Sequence, residues 1–556
     1  MTQRPVRVAR LAFFVLLIGL VAFPVTAAPK GRDVRADALT HMSQSVAVRY
    51  WIAHPNQAPA QLEDVFRRAS RLVAGARSSA AALAHPSVSD VFNDDIFGMP
   101  QNEESVSGCR LDESLVIEGT NDYRGLLDSE GNFTGWHLST DGGSSLTKEG
   151  LLPAVTVGGT NTRPSGGDPV VSFSEADCDV YASSLNYDPI DPFANTNGVG
   201  IYKTDEATLL SSACNPTPAD LSDEDCWPTR RYAAFSADPT HFFDKEWFDV
   251  GDTGDGEHVW VTYSDFDSTP EPDPDNLAGF TAEIFAVRCD ADLVECTAPI
   301  DISEGDVDVQ FSDVTIGPDQ RTYITWAQIF GELEGTAQTF VIKMRVAEPG
   351  STTFGPERIV FEEELAIPFG GFLHANDFRI ATYPKHEVAD LGGTNPRVFV
   401  VWDACEFRLL DTICEEPIIW LSYSDDLGVS WSDRVAISDG GDNYFPTIAY
   451  DPEGDRLVAA WFTNQFDGDF HNQVDVELVR LNDDGTVKSG RRLTRPSNES
   501  EADPLLGGFF IGDYIEVFAH DRTAWVGYNA NYRQVPLLFE GIPIPQQDNY
   551  LAKVGV

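Results

Sequence analysis

Four stretches of this sequence carry side chains suited to acid, base, nucleophile or anion-recognition chemistry, in settings where such groups need a reason. Arg379 sits between Phe378 and Ile380, and a guanidinium among apolar neighbours needs a partner or a pocket. Asp168 precedes Pro169, where it either caps a turn or aims an acid at a site. Lys245 and Glu246 are adjacent on a strand-like run. Strand side chains alternate, so one of the two should face a given side, and Glu246 is the one assigned to it. Tyr514 ends the run Phe510-Ile511-Gly512-Asp513-Tyr514, as a packed aromatic or as an available phenol. A fifth feature is the loop 265–275, whose Asp265, Asp267, Asp273 and Asp275 concentrate the hard oxygen donors that calcium takes. It lacks EF-hand spacing, and in so acidic a chain such a cluster is more often a solvated loop.

Several chemistries lack their residues. There is no Gly-x-Ser-x-Gly elbow, His-Glu-x-x-His helix, phosphate-binding glycine loop or dinucleotide fingerprint, and none of the ten histidines forms a ligand pair. The formal charge of −50 argues against nucleic acid and anionic membranes as partners, because like charges repel over the whole surface. It fits a saline habitat or calcium in surface loops. No cofactor is required by any motif; calcium is the one ion the composition favours.

Arg4, Arg7 and Arg10 precede the apolar run 11–25, and Val25-Thr26-Ala27 offers small residues for cleavage. This pattern predicts a secretory signal over 1–27, leaving a mature chain of charge about −53 that is secreted or periplasmic. No later apolar run is long enough to span a bilayer. Eight cysteines, all beyond the signal, fit an oxidising compartment. Cys289 and Cys296 flank a short loop, as do Cys405 and Cys414; Cys214 and Cys226 bracket a polar insertion, which leaves Cys109 with Cys178. The competing reading is a set of unrelated buried thiols.

The elements that position these residues are short and repeat. Segment 28–105 stands apart: Leu62, Val65, Phe66, Ala69 and Val73 fall near helical spacing, predicting a helical extension, either a propeptide or a helix packed on the rest. From 106 to 556 one strand recurs seven times, in the runs beginning at Leu115, Val180, Val259, Thr322, Val398, Leu457 and Ala524. The spacing of roughly 60 to 80 residues suits one four-stranded blade. Apolar runs at 168–171, 245–248, 311–314, 378–380, 445–448 and 511–514 precede six of these copies and are the expected innermost strands. The expectation is an all-β, six- or seven-bladed β-propeller with a short N-terminal helical extension.

Two turns sharpen this. Ser424-Asp425-Asp426-Leu427-Gly428-Val429-Ser430-Trp431 spells an Asp box, and Ser139-Thr140-Asp141-Gly142-Gly143-Ser144-Ser145-Leu146 repeats it with Leu for the aromatic. Weaker echoes stand at 481–485 and 204–207. With Gly119-Thr120-Asn121-Asp122-Tyr123-Arg124, Phe243-Asp244-Lys245-Glu246-Trp247 and the run ending at Tyr514, the chain resembles bacterial sialidase-like (BNR repeat) propellers. The resemblance implies that Ser139, Asp141, Gly143, Ser424, Asp426, Gly428 and Trp431 build the turns between third and fourth strands.

It also implies a glycan or glycoconjugate partner. Sialidases hold an acidic sugar with three arginines, use a Tyr assisted by a Glu as nucleophile, and use an Asp as acid/base. Carried onto this sequence, that logic nominates Asp168, Glu246 and Tyr514 as catalytic and Arg124, Arg163 and Arg379 as substrate-binding. The Arg-Ile-Pro signature of the family is missing, with Arg163-Pro164 at most a remnant. The function so implied is an exo-acting glycoside hydrolase on terminal sialic or other acidic sugars; the alternative is a non-catalytic extracellular propeller that binds glycan or protein.

Overall fold

In the computed structural model the chain divides into two units, Met1–Asp33 and Val34–Val556. Described are residues 39, 42–60, 62–79 and 99–556, the last without 158, 160, 193–195, 218–219, 269–280, 307, 331–336, 367–368, 374–375, 377, 406, 410–412, 469–471, 495, 504, 507–508, 533 and 537–542. The expected signal over 1–27 lies outside them, as do Asp273 and Asp275 of the acidic loop.

Seven antiparallel sheets form seven blades in chain order. Their innermost strands are Gln101–Gly108, Val170–Phe173, His241–Asp252, Val309–Ile316, Lys385–Ala389, Asn443–Asp451 and Glu516–His520. Each packs on the next, and the seventh packs on the first. All seven recurring runs are second strands, from Val116–Asp122 in blade one to Thr523–Ala530 in blade seven. Their β-branched and aromatic residues sit between sheets, buried on both faces, as a strand with covers on both sides requires. Trp326, Trp402 and Trp461 close three of these runs, Trp260 and Trp525 stand second in two others, and all five are fully buried.

Two expected inner strands are misplaced. The inner strand of blade five is Lys385–Ala389, whereas Arg379–Ala381 belongs to an additional sheet with Phe369–Leu373, Phe407–Leu409 and Ile413–Glu415. Ile511–Tyr514 is the approach to blade seven, not its strand. Blade one also begins earlier than its sequence shows, at Gln101, because Gln101-Asn102-Glu103-Glu104 reads as polar loop.

The ring closes without sharing a strand between the chain ends. Blade one is built from Gln101–Leu151 and blade seven from the C-terminal strands. Side chains of one inner strand instead accept backbone N–H groups of the next. Ser105 accepts from Val171 (3.0 Å), Asp249 from Ile316 (2.7 Å), Asp313 from His386 (2.8 Å), Glu387 from Tyr450 (3.0 Å) and Thr447 from Val517 (3.3 Å). Glu516 accepts from Val106 (2.9 Å) and closes the circle. These bonds satisfy inner-strand donors that have no strand neighbour on the axial side.

The Asp boxes hold the same geometry twice. In the first, Ser139 Oγ donates to Asp141 Oδ1 (2.8 Å) and accepts from Gly143 N (2.9 Å), while Ser145 N and Oγ donate to Asp141 (2.8 and 2.6 Å). In the second, Ser424, Asp426, Gly428 and Ser430 repeat these contacts at 2.9, 2.8, 2.8 and 2.7 Å. Gly143 and Gly428 adopt φ of +81° and +82°. Both turns join third to fourth strands, as do the echoes at 481–485 and 204–207. Trp431 packs half-buried against the core of its blade.

Cys109–Cys178, Cys214–Cys226 and Cys289–Cys296 are disulfides. The first ties blade one to blade two. Cys405 is disulfide-bonded too; the side chain of its expected partner, Cys414, lies outside the described residues.

Ahead of the blades come two helices, α1 (Gln44–Ala53) and α2 (Glu63–Ser79). Eight of the ten α1 residues are buried. Trp51 of α1 packs on Phe66 of α2, and both meet Phe509 on the approach to blade seven.

Candidate functional site

Inner strands enter the axis through a shared irregularity. Glu103, Asp168, Lys245, Phe311 and Phe445, near the starts of five of them, all have φ between +53° and +59°. Gly512, on the approach to blade seven, has φ of +96°. The ladder skips at Asn102/Ser105, Asp244/Trp247, Gln310/Asp313 and Tyr444/Thr447. A bulge of this kind re-aims side chains at a sheet edge, and a ring of left-handed residues at one level is strain held by surrounding structure. Its consequence at 244–246 is direct. Strict alternation would turn only one of Lys245 and Glu246 inward, but both line the same axial pocket, with Asp168, Trp247, Phe311, Tyr383, Asp513 and Tyr514.

This cluster unites Asp168, Glu246 and Tyr514 from the sequence-derived set, and Arg379 joins it through Asp513. Arg379 donates to Asp513 Oδ2 (2.5 Å) and to the carbonyl of Met42 (3.1 Å). Lys245 donates to the same Asp513 oxygen. Asp513 is buried, yet the guanidinium and ammonium hold its carboxyl below the usual range against that burial. Asn121, from blade one, accepts the Asp168 N–H (2.9 Å) and donates to Glu103 (2.5 Å). Glu103 in turn accepts from Asp513 N (3.1 Å).

The other carboxyls are pushed the opposite way. Burial, then the charge of Asp168, raises Glu246 well above the carboxylate range. Neither of its oxygens is hydrogen-bonded to another residue among the described residues. Burial raises Asp244 to about 7, and burial with the charges of Asp168 and Asp513 raises Glu103 strongly. Tyr514 donates to the carbonyl of Pro169 (2.8 Å) and meets Trp247 edge-on at 5.5 Å. Burial keeps its phenol protonated far above the ordinary value.

Arg124 and Arg163 are placed elsewhere. Arg124 is buried in blade one, forked onto Asp122 (2.8 Å from Nε) and Glu149 (2.7 and 3.0 Å). Arg163 ends a small hairpin and donates to the carbonyls of Thr196 (3.0 Å) and Thr162 (2.9 Å). The structure thus brings one of the three nominated arginines to the axis. Glu103, Asp244 and Asp513 escaped the sequence reading; each flanks a bulged position, a feature with no sequence signature beyond a charge at the head of an apolar run.

The cluster is covered by the N-terminal segment. Ser43 Oγ (2.6 Å) and Ser45 Oγ (2.9 Å) both donate to Asp168 Oδ1, and Ser43 N donates to Asp244 Oδ2 (2.6 Å). The free space left in the pocket is about 30 Å³, room for little more than a water. Farther along the axis, all seven inner strands line a channel of about 450 Å³.

For metals, Asp265 pairs with His241 (2.9 Å), and Asp267 lies 3.9 Å from the same ring. Among the described residues Asp451, Glu453 and His520 bring possible ligand atoms within 4.8 Å of one another. Asp451 is already spent on Gly454 N and Arg522 N (2.9 and 2.7 Å), and Arg110 lies 3.5 Å from Glu453. Calcium takes about six to eight oxygens, far more than this group supplies.

No family model matches the chain, and no curated protein matches it. Solved structures similar to it include a protein of unknown function from Dyadobacter fermentans, at 9% identity over 84% of this chain and 97% of that one (TM-score 0.41). A Hadza microbial sialidase is 10% identical over 75% and 73% of the two chains (TM-score 0.39). A polysaccharide lyase described as an ulvan lyase is 8% identical over 82% and 96% (TM-score 0.41). Superpositions this loose leave the fold to be read from the strand pairings and the function from the side chains.

Proposed function

We propose that the protein is an exported, glycan-acting propeller that hydrolyses glycosidic bonds at the axial cluster. The observation carrying this reading is the pairing in one pocket of Glu246, whose buried oxygens lack a hydrogen-bond partner among the described residues and whose acidity burial suppresses, with Asp168. A carboxyl group that holds its proton beside a second carboxyl is what acid/base cleavage of a glycoside needs. Glu246 gives its proton to the leaving oxygen, Asp168 takes a proton from water, and the remaining hydroxide joins the anomeric carbon. Tyr514 and Trp247 supply an aromatic wall. Tyr514 holds its proton tightly, so the carboxyl pair is favoured over a phenolate nucleophile.

Charge favours an uncharged sugar. Glu103, Asp168, Asp244, Glu246 and Asp513 outnumber the cations beside them, Lys245, Arg379 and Lys385, of which the first two are committed to Asp513 and the third to Asp313. An acidic sugar is the second reading, supported by those two cations should a substrate carboxylate displace Asp513.

Initial rates on uncharged aryl glycosides and on sialosides test this. Turnover of uncharged substrates that falls at least 100-fold in Asp168→Asn is expected. Turnover of sialosides alone, lost in Arg379→Ala, would establish the second reading. No turnover of either, by the native chain and by variants with a loosened N-terminal segment, would leave a non-catalytic binding propeller.

A further inference from the structure

The contacts made by residues 42–45 are those a sugar would make. Two hydroxyls donate to one carboxylate oxygen of Asp168, an N–H donates to Asp244, and a neutral carbonyl accepts from Arg379. Ser43 is the more telling because it stands at the N-cap of α1. A serine there ordinarily accepts from the helix's own N–H groups. Here it makes no cap bond, and its hydroxyl goes across to Asp168 instead. Asp168 Oδ2 and Asp244 Oδ1, both buried, accept nothing among the described residues, so the segment satisfies the acids only in part. The helix is held by a separate anchor. Arg49 donates to the carbonyls of Gly131 (2.8 Å) and Gly166 (3.1 Å) and to Tyr187 Oη (3.1 Å), with its guanidinium 4.3 Å above the Phe133 ring.

We propose that Met42–Ser45 is an internal ligand of the axial site, holding the places of a glycan's hydroxyl groups, so that a polyhydroxylated ligand binds only as this segment leaves. The proposal rests on reading the axial cluster as the glycan site, and its chemistry extends to which ligand suits it. The unused acid oxygens and the acid excess favour a polyol carrying no negative charge. The apparent affinity for such a ligand is the intrinsic affinity reduced by the fraction of molecules with the segment displaced.

The test measures binding, separately from turnover. The full chain, Arg49→Ala and the Ser43→Ala/Ser45→Ala double variant are titrated with 1-deoxynojirimycin, a cationic polyol, by calorimetry, and hydrogen exchange is followed over 42–53. Expected is at least a tenfold gain in affinity in either variant, with exchange over 42–53 rising when the probe binds to the native chain. Equal affinity in all three folded proteins, no binding by any of them, or binding with 42–53 still protected, would overturn the proposal. Should Arg49→Ala fail to fold, the serine variant, which leaves the anchor intact, decides alone. Glycoside turnover by the native chain with unchanged affinities would sink the internal ligand while leaving the hydrolase reading standing.

Discussion

Burying a carboxyl group without a hydrogen-bond partner is costly, and Glu246 is buried in that way in the axial pocket. The cost is tolerable because the group keeps its proton, which is also what a general acid must do. Glu246→Gln retains the shape and removes the proton, so kcat on a responsive glycoside should fall by about 10²–10⁴-fold with little change in melting temperature. Farther down the axis Asp249 is a cleaner probe of electrostatics. It accepts from Ile316 N across the blade interface, and burial raises it to about 7. Its folded pKa lies above its unfolded one, so the folded state binds more protons between about pH 4 and 7, and stability falls as pH rises through that window. A single such group contributes a slope of at most about 1.4 kcal/mol per pH unit. Urea melts of Asp249→Asn from pH 4 to 8 should show a flatter decline than the native chain, and an unchanged slope would count against this assignment.

Among the elements, the Asp-box turns are interblade contacts as well as local ones. A Cβ on Gly428 would lie 2.2 Å from Met344 Cε in blade four, one on Gly143 would lie 2.8 Å from Leu551 in blade seven, and one on Gly485 would lie 2.4 Å from Leu421 in blade five. Each glycine touches the preceding blade. With φ of +82°, Gly428→Ala should cost more than about 1 kcal/mol, partly relieved by Met344→Ala in a double-mutant cycle of chemical denaturation. Additive losses would show that the two do not meet. The turns, the seven second strands and two disulfide pairs are legible because each is a local pattern: a polar turn code, a short apolar run that in five of seven copies ends in an aromatic, two cysteines around a loop; Cys109 and Cys178 are paired only as what remains. The inner strand of blade one was not legible, because Glu103 and Glu104 are buried in it against every expectation from polarity. Arg379, a charge among apolar neighbours, does have a buried partner in Asp513, but its strand belongs to the additional sheet and not to a blade. The adjacency of Lys245 and Glu246 was misjudged because the bulge that breaks their alternation is set by packing around the axis rather than by local sequence.

At the scale of the molecule, a ring closed by side chains should have separable seams. Glu516 joins blade seven to blade one, and Cys109–Cys178 joins blade one to blade two. The disulfide closes a 69-residue separation and should contribute about 2–4 kcal/mol. Glu516→Ala and the Cys109→Ser/Cys178→Ser pair should each lower the melting temperature, and their combination should lower it by nearly the sum. Opening of the ring by either change alone would appear as a combined loss no larger than the single one. The same ring sets where function lies: its inner strands converge on one axis, five of them through the charged or aromatic residues Glu103, Asp168, Lys245, Phe311 and Phe445, and the N-terminal segment reaches that axis and covers it. The most direct measurement is therefore the pH–rate profile of glycoside hydrolysis by Arg49→Ala, with and without Glu246→Gln. A rate that falls on the alkaline side and disappears with Glu246 is the expected result. Hydrolysis that survives the loss of Glu246, or none in a folded Arg49→Ala protein, would contradict a carboxyl-driven reaction at the axis.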